Sequence, residues 1–110
     1  MVMKTEFQPV IEQSMLQDSP DQLVERVIAS NIVAGDDATD RGDVVQAEYF
    51  YRNAIDLAEL KYGGKGAPLA YLLTILADFY ESQQRLSDVT EVQRRIREVM
   101  ADYVRADLAS

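Results

Sequence analysis

After residue 18 the apolar residues of this chain recur at spacings of three and four, and no segment alternates apolar with polar as a half-buried strand would. In "SPDQLVERVIASNIVAG" the residues Leu23, Val24, Val27, Ile28 and Ile32 follow helical spacing. Ser19 suits the N-cap, Pro20 the first turn, and Gln22 stands where a capping box needs it. A first helix is expected from about Pro20 to about Asp40. Gly42 beside Asp43 breaks the pattern before a second helix, about Val44 to Tyr62. "GGKGAP" (Gly63 to Pro68) is the clearest turn signal in the chain. A third helix, about Pro68 to Gln83, and a fourth, about Ser87 to Asp107 with Ser87 as N-cap, complete the pattern. Upstream, "QPVIEQSMLQ" is a candidate for a short additional helix. The expected organisation is an N-terminal extension or short helix over 1–18 and one all-α helical domain over 19–110.

The distribution of apolar positions differs among these helices. The second carries Val44, Ala47, Tyr51, Ala54 and Ala58 on one side and Phe50 and Leu57 on another. The third carries Leu69, Leu72, Leu73, Ile75, Leu76, Phe79 and Tyr80. The fourth has one main stripe of Val89, Val92, Ile96, Val99, Met100 and Tyr103. A helix that is apolar on two sides is packed from two sides. The two inner helices are therefore expected between the two outer ones, as in helical-repeat architecture.

Shifting the chain by 42 residues places Ala34 on Leu76, Gly35 on Ala77, Ala38 on Tyr80 and Gly42 on Gln84. It also places Ala47 on Val89, Tyr51 on Gln93 and Ala54 on Ile96. Gly42 is read as the tight turn between paired helices. Ala47 and Ala54 are read as points of close helix approach, with Tyr51 filling the space beside them.

Composition narrows the function. A chain of 110 residues, 47% hydrophobic and 27% charged, has the balance of a single folded domain. No apolar run reaches the roughly 20 residues of a membrane span, and "MVMKTEFQPV" lacks the apolar centre of a signal peptide, so a cytoplasmic protein is expected. The net charge of −8 is uneven: residues 1–84 hold 14 acids against 6 bases, residues 85–110 hold 5 of each. That balance argues against nucleic acid, whose phosphates need clustered Lys and Arg. On the last helix Arg94, Arg95, Arg97 and Arg105 alternate with Glu91, Glu98 and Asp102, so pairing within the helix is expected, Glu91 with Arg95 for example. Tyr49, Tyr62 and Tyr103 are candidate interface anchors, or aromatic caps on the helix assembly.

Candidate chemistry is sparse. There is no Cys and no His, which removes thiolate nucleophiles, imidazole bases and the commonest zinc ligands. No Ser has a recognisable activating partner, and "GGKG" lacks the spacing of a phosphate-binding loop. "GDDATDRGD" (Gly35 to Asp43) lacks the ligand order and terminal Glu of a calcium loop. No catalytic, metal or cofactor site is expected, and no enzyme.

The pattern resembles the tetratricopeptide repeat family, and within it the longer 42-residue repeat of kinesin light chains. "LAYLLTILADFYESQQRLSDV" matches the first part of the repeat through Leu69, Ala70, Leu73, Leu76, Ala77, Phe79 and Tyr80. "GDVVQAEYFYRNAIDLAEL" matches the second part through Gly42, Ala47, Glu48, Tyr51, Arg52, Ala54, Ile55 and Glu59. The likeness covers about residues 21–107. It departs at Asp37 and Ala38, and at Gln84, Val89 and Gln93, so the first and last helices read as degenerate or capping elements.

The resemblance implies two antiparallel hairpins, about 20–62 and 68–107, stacked as a short right-handed helical repeat. It implies that the first helix of each hairpin lines a concave groove for a peptide or helix of a partner protein. Carried over, the lining is Ala29, Ile32, Val33, Asp36, Thr39 and Asp40 from the first hairpin. The second contributes Tyr71, Thr74, Ile75, Asp78, Glu81 and Ser82. Of these, Ile32, Asp36, Asp40, Tyr71, Thr74, Ile75, Asp78 and Glu81 are the expected partner-binding residues. The family often places Asn where Val33 and Ile75 stand, and its chaperone-binding members use groove Lys and Arg, absent at these positions. A groove apolar at its base and acidic at its rim suits a partner with basic residues. The expected function is a scaffold or adaptor module for protein–protein interaction. The alternative is a self-assembling structural subunit. A homodimer is expected because two repeats are few for a stable solenoid, and Tyr103, Val104 and Leu108 carry apolar content towards the C-terminus.

Overall fold

The computed structural model describes residues 19–109, with side chains through residue 101. The expected extension over 1–18 and the side chains of Tyr103, Val104 and Leu108 lie outside the described residues. Four α-helices make up the described chain: α1 (Pro20–Asp40), α2 (Val44–Tyr62), α3 (Ala67–Ser82) and α4 (Leu86–Ala109). No strand occurs among the described residues. Helix α1 starts as its sequence predicts. The Ser19 side chain accepts from the Gln22 amide, and the Gln22 side chain accepts from the Ser19 amide, closing the capping box. Asp43 caps α2 by accepting from the Gln46 amide at 3.2 Å.

The start of α4 differs from expectation. The helix begins at Leu86, so Ser87 lies inside its first turn and the capping position falls to Arg85, whose carbonyl accepts from the Val89 amide. The reason is the turn before it. Gln84 adopts φ of 59°, and its amide and that of Arg85 donate to the carbonyls of Glu81 and Tyr80. This is a Schellman closure of α3. The same closure ends α1: Gly42 adopts φ of 80°, with Gly42 and Asp43 donating to Thr39 and Ala38. Each member of the α1 set stands 42 residues before its α3 counterpart.

Helices α1 and α2 pack together, as do α3 and α4, and α2 also packs against α3. The core follows from this. Ala47, Tyr51, Ala54, Ile55 and Ala58 of α2 and Leu69, Leu72, Leu73, Leu76, Phe79 and Tyr80 of α3 are buried, with Val92 and Val99 from α4 and Ile28 and Ala38 from α1. Ala47, Ala54 and Ala58 are fully enclosed, as close helix contact requires. At Gly35 α1 lies against the Tyr51 ring of α2, where an added Cβ would meet three ring carbons at 2.5 to 2.9 Å.

Charged groups tie the helices at three places. Glu48 of α2, half-buried, accepts from Arg85 at 2.6 Å, from the Tyr80 hydroxyl at 2.6 Å and from Arg52 at 3.1 Å. Burial alone would raise its pKa, but these donors hold it down at about 2. The Arg85 guanidinium also lies 4.5 Å over the Tyr80 ring. Lys61 at the end of α2 reaches Asp21 at 3.6 Å and Glu25 at 3.8 Å at the start of α1. Arg95 of α4 pairs with Glu59 of α2, not with Glu91 as expected. Glu91 instead pairs with Arg94, which also bridges to Glu98. Helix packing turns Arg95 inwards, where a carboxylate on the neighbouring helix is closer than one on its own.

Candidate protein-binding groove

Residues of α1 and α3 line common hollows, taken in the same order along both helices. Two hollows lie between them. The first, about 380 Å³, is lined by Ile28, Ala29, Ile32 and Val33 from α1, Pro68, Tyr71 and Leu72 from α3, and by Glu25 and Tyr62. Its walls are almost wholly apolar. The Glu25 carboxylate at its edge accepts a hydrogen bond from the Tyr62 hydroxyl at 3.2 Å and faces Lys61.

The second hollow, about 320 Å³, is lined by Asp36, Thr39, Tyr51, Ile75, Asp78, Phe79 and Ser82. Its geometry depends on Gly35. The missing side chain lets the Tyr51 ring cross α1, so that its hydroxyl donates to Asp36 Oδ1 at 2.6 Å and stands 3.4 Å from the Thr39 hydroxyl. Burial, then the hydrogen bond to Asp36, and then the charges of Asp36 and Asp40 push the Tyr51 phenol above its ordinary pKa. It therefore stays a protonated donor at neutral pH.

The expected binding residues divide between these hollows. Ile32 and Tyr71 line the first; Asp36, Ile75 and Asp78 line the second. Asp40, Thr74 and Glu81 are exposed and line neither. The Thr74 hydroxyl donates to its own helix at the Ala70 carbonyl, 2.9 Å away. Asp36 has a second task unforeseen from sequence, as acceptor for Tyr51. The expected list also omits Ile28, Tyr62, Pro68 and Leu72, all in the wall of the first hollow. Ile28 stands one helical turn before Ile32 and could have been found that way. Tyr62, named from the sequence as a candidate interface anchor, reaches the hollow from the end of α2, a placement that only tertiary packing reveals.

The most perturbed carboxylate, Glu48, has its oxygens occupied by Arg85, Tyr80 and Arg52 and stands outside both hollows. Among the described residues no group of three or more acidic side chains is placed to hold a metal ion. None of the described helices is long and apolar enough to cross a membrane. No model of a known protein family, no curated protein and no solved structure matches this chain.

Proposed function

We propose that this chain is a non-enzymatic protein-interaction module, a scaffold or adaptor working in the cytoplasm. In this reading it consists of two tetratricopeptide-like hairpins stacked as a short right-handed helical repeat, and the groove between α1 and α3 receives a peptide or helix of a partner. The observation that carries the reading is the apolar hollow of about 380 Å³ beside Ile32 and Tyr71, open between two helices. Tyr71 remains 68% exposed at its rim, as a side chain awaiting a contact would be. The pair of Schellman turns 42 residues apart supports the repeat reading.

Capture from a native lysate, followed by mass spectrometry, tests it. Wild-type protein should retain a specific partner that the double variant Ile32→Ser, Tyr71→Ser loses while keeping its helical circular dichroism. Retention of the same partner by the folded double variant would rule the groove out.

A second reading draws on α2. Val45, Tyr49 and Leu60 are exposed along one stripe of its outer surface, spaced so that they share a face. Homodimerisation through this stripe would cover them and make the protein a self-assembling structural subunit. Sedimentation separates the readings: a dimer dissociated by Tyr49→Ser with Leu60→Ser supports self-assembly, and a monomer at all concentrations excludes it.

A further inference from the structure

We infer that the occupant of the groove is a basic amphipathic helix, with one bulky apolar side chain seated beside Ile32 and Tyr71 and an Arg or Lys about two turns away facing Asp36 and Asp78. This rests on the groove reading above and adds the chemistry and spacing of the ligand. Three observations lead to it.

The first is the serial order of the hollows. On α1 the apolar hollow takes Glu25 to Val33 and the acidic one Asp36 and Thr39; on α3 they take Pro68 to Leu72 and Ile75 to Ser82. Both helices advance together, and at 1.5 Å per residue the two centres lie roughly 12 Å apart. That separation is roughly seven or eight residues of a helical ligand.

The second is charge. Neither hollow is lined by Lys or Arg, and among the described residues no Lys or Arg forms an ion pair with Asp36 or Asp78. Lys61 is held by Asp21 and Glu25 at the far end of α1. An acidic ligand would meet repulsion at the second hollow, whereas a cationic side chain would find two carboxylates without a cation.

The third distinguishes a helix from an extended strand. An extended ligand leaves its amides and carbonyls to be satisfied by the groove. Three hydroxyls along the groove donate to their own helices. Thr39 donates to the Gly35 carbonyl, Thr74 to Ala70 and Ser82 to Phe79, at 2.9, 2.9 and 2.6 Å. The positions of Val33 and Ile75 offer no polar atom. A helix satisfies its own backbone and asks the groove only for side-chain contacts, which is what these walls provide.

Panning random peptides long enough for about four helical turns against the full chain tests the inference. The expected winners carry a bulky apolar residue and an Arg or Lys seven or eight positions apart, and gain helicity on binding. Exchanging that basic residue for Glu should weaken binding about tenfold at low salt and less at high salt. The chain carrying Tyr71→Ser should bind the winners far more weakly. Winners that need Tyr71 but are acidic, uncharged at that spacing or bound in extended form overturn the ligand chemistry while leaving the groove reading intact. Winners indifferent to Tyr71→Ser, or no enrichment at all, overturn both. A dimer that Tyr71→Ser dissociates would place a second copy in the groove and likewise overturn the inference.

Discussion

Gly42 and Gln84 occupy the same left-handed backbone conformation, at φ of 80° and 59°, and close the ends of α1 and α3 with matching hydrogen bonds. Only Gly adopts that conformation without a Cβ penalty, which for other residues is roughly 1–2 kcal/mol. Gln84→Gly is therefore expected to stabilise the protein. Part of the gain is offset by the greater freedom of Gly in the unfolded chain, leaving about 0.5–1 kcal/mol. Gly42→Ala meets no neighbour within 4 Å, so its cost comes from the backbone alone and has the opposite sign. Urea denaturation of both variants checks this. Midpoints moving in the same direction would mean that the two turns are not equivalent.

Gly35 lies under the Tyr51 ring. Elsewhere in a helix Gly→Ala gains about 1 kcal/mol of propensity, but here the new Cβ would sit inside contact distance of a buried ring. That ring is held by Asp36 and packs on Phe79 at 5.5 Å between centroids, so it has little room to yield. Gly35→Ala is expected to destabilise by about 1–2 kcal/mol net. In a Tyr51→Ala background the same change should become neutral or favourable. A double-mutant cycle from denaturation curves reads that coupling, and additive effects would remove the close contact from the account.

The carboxylate of Glu48 links α2, α3 and the turn before α4. Its folded pKa, about 2, lies below the ordinary 4.5. Stability from this group is thus fully present above about 4.5 and is lost as pH falls towards about 2. Glu48→Gln should destabilise at neutral pH, by about 1–3 kcal/mol, because Arg85 and Arg52 lose their charged acceptor. The difference from wild type should shrink as the solution is acidified through that window. A constant difference from neutral pH down to about 2 would show that Glu48 does not titrate as the structure implies.

Most helix limits were legible because their signals are local. Ser19, Pro20 and Gln22 mark the start of α1 without reference to anything distant, and Gly42 with Asp43 marks the first turn. The start of α4 was not, because it depends on Gln84 accepting a conformation that its side chain disfavours and on Arg85 reaching Glu48 across the fold. Arg95 teaches the same lesson. Helical spacing offers Glu91 as a partner, but only the packing of α2 and α4 against α3 brings Glu59 within reach. In the groove, the resemblance implied Ile32 and Tyr71, which line the first hollow, and Ile75 and Asp78, which line the second. It did not reveal that Gly35 admits Tyr51 to Asp36, because that contact requires knowing how closely two helices approach.

Rim and floor of the apolar hollow should separate binding from folding. Val33 and Tyr71 are 58% and 68% exposed, and neither forms a core contact that the fold needs. Val33→Ser with Tyr71→Ser should leave stability within about 0.5 kcal/mol of wild type. Leu72 lines the same hollow from beneath and is buried against the core. Leu72→Ala opens a cavity there and should destabilise by about 2–5 kcal/mol. If the rim is the contact surface, the folded rim variant loses its partner, because the removed apolar area no longer leaves water on binding. The loss should persist at high salt, since it involves no charge, whereas Asp78→Lys should weaken capture chiefly at low ionic strength. Denaturation curves and capture measured on the same preparations separate these cases. Wild-type capture by the rim variant, at unchanged stability, would move the partner site away from α1 and α3.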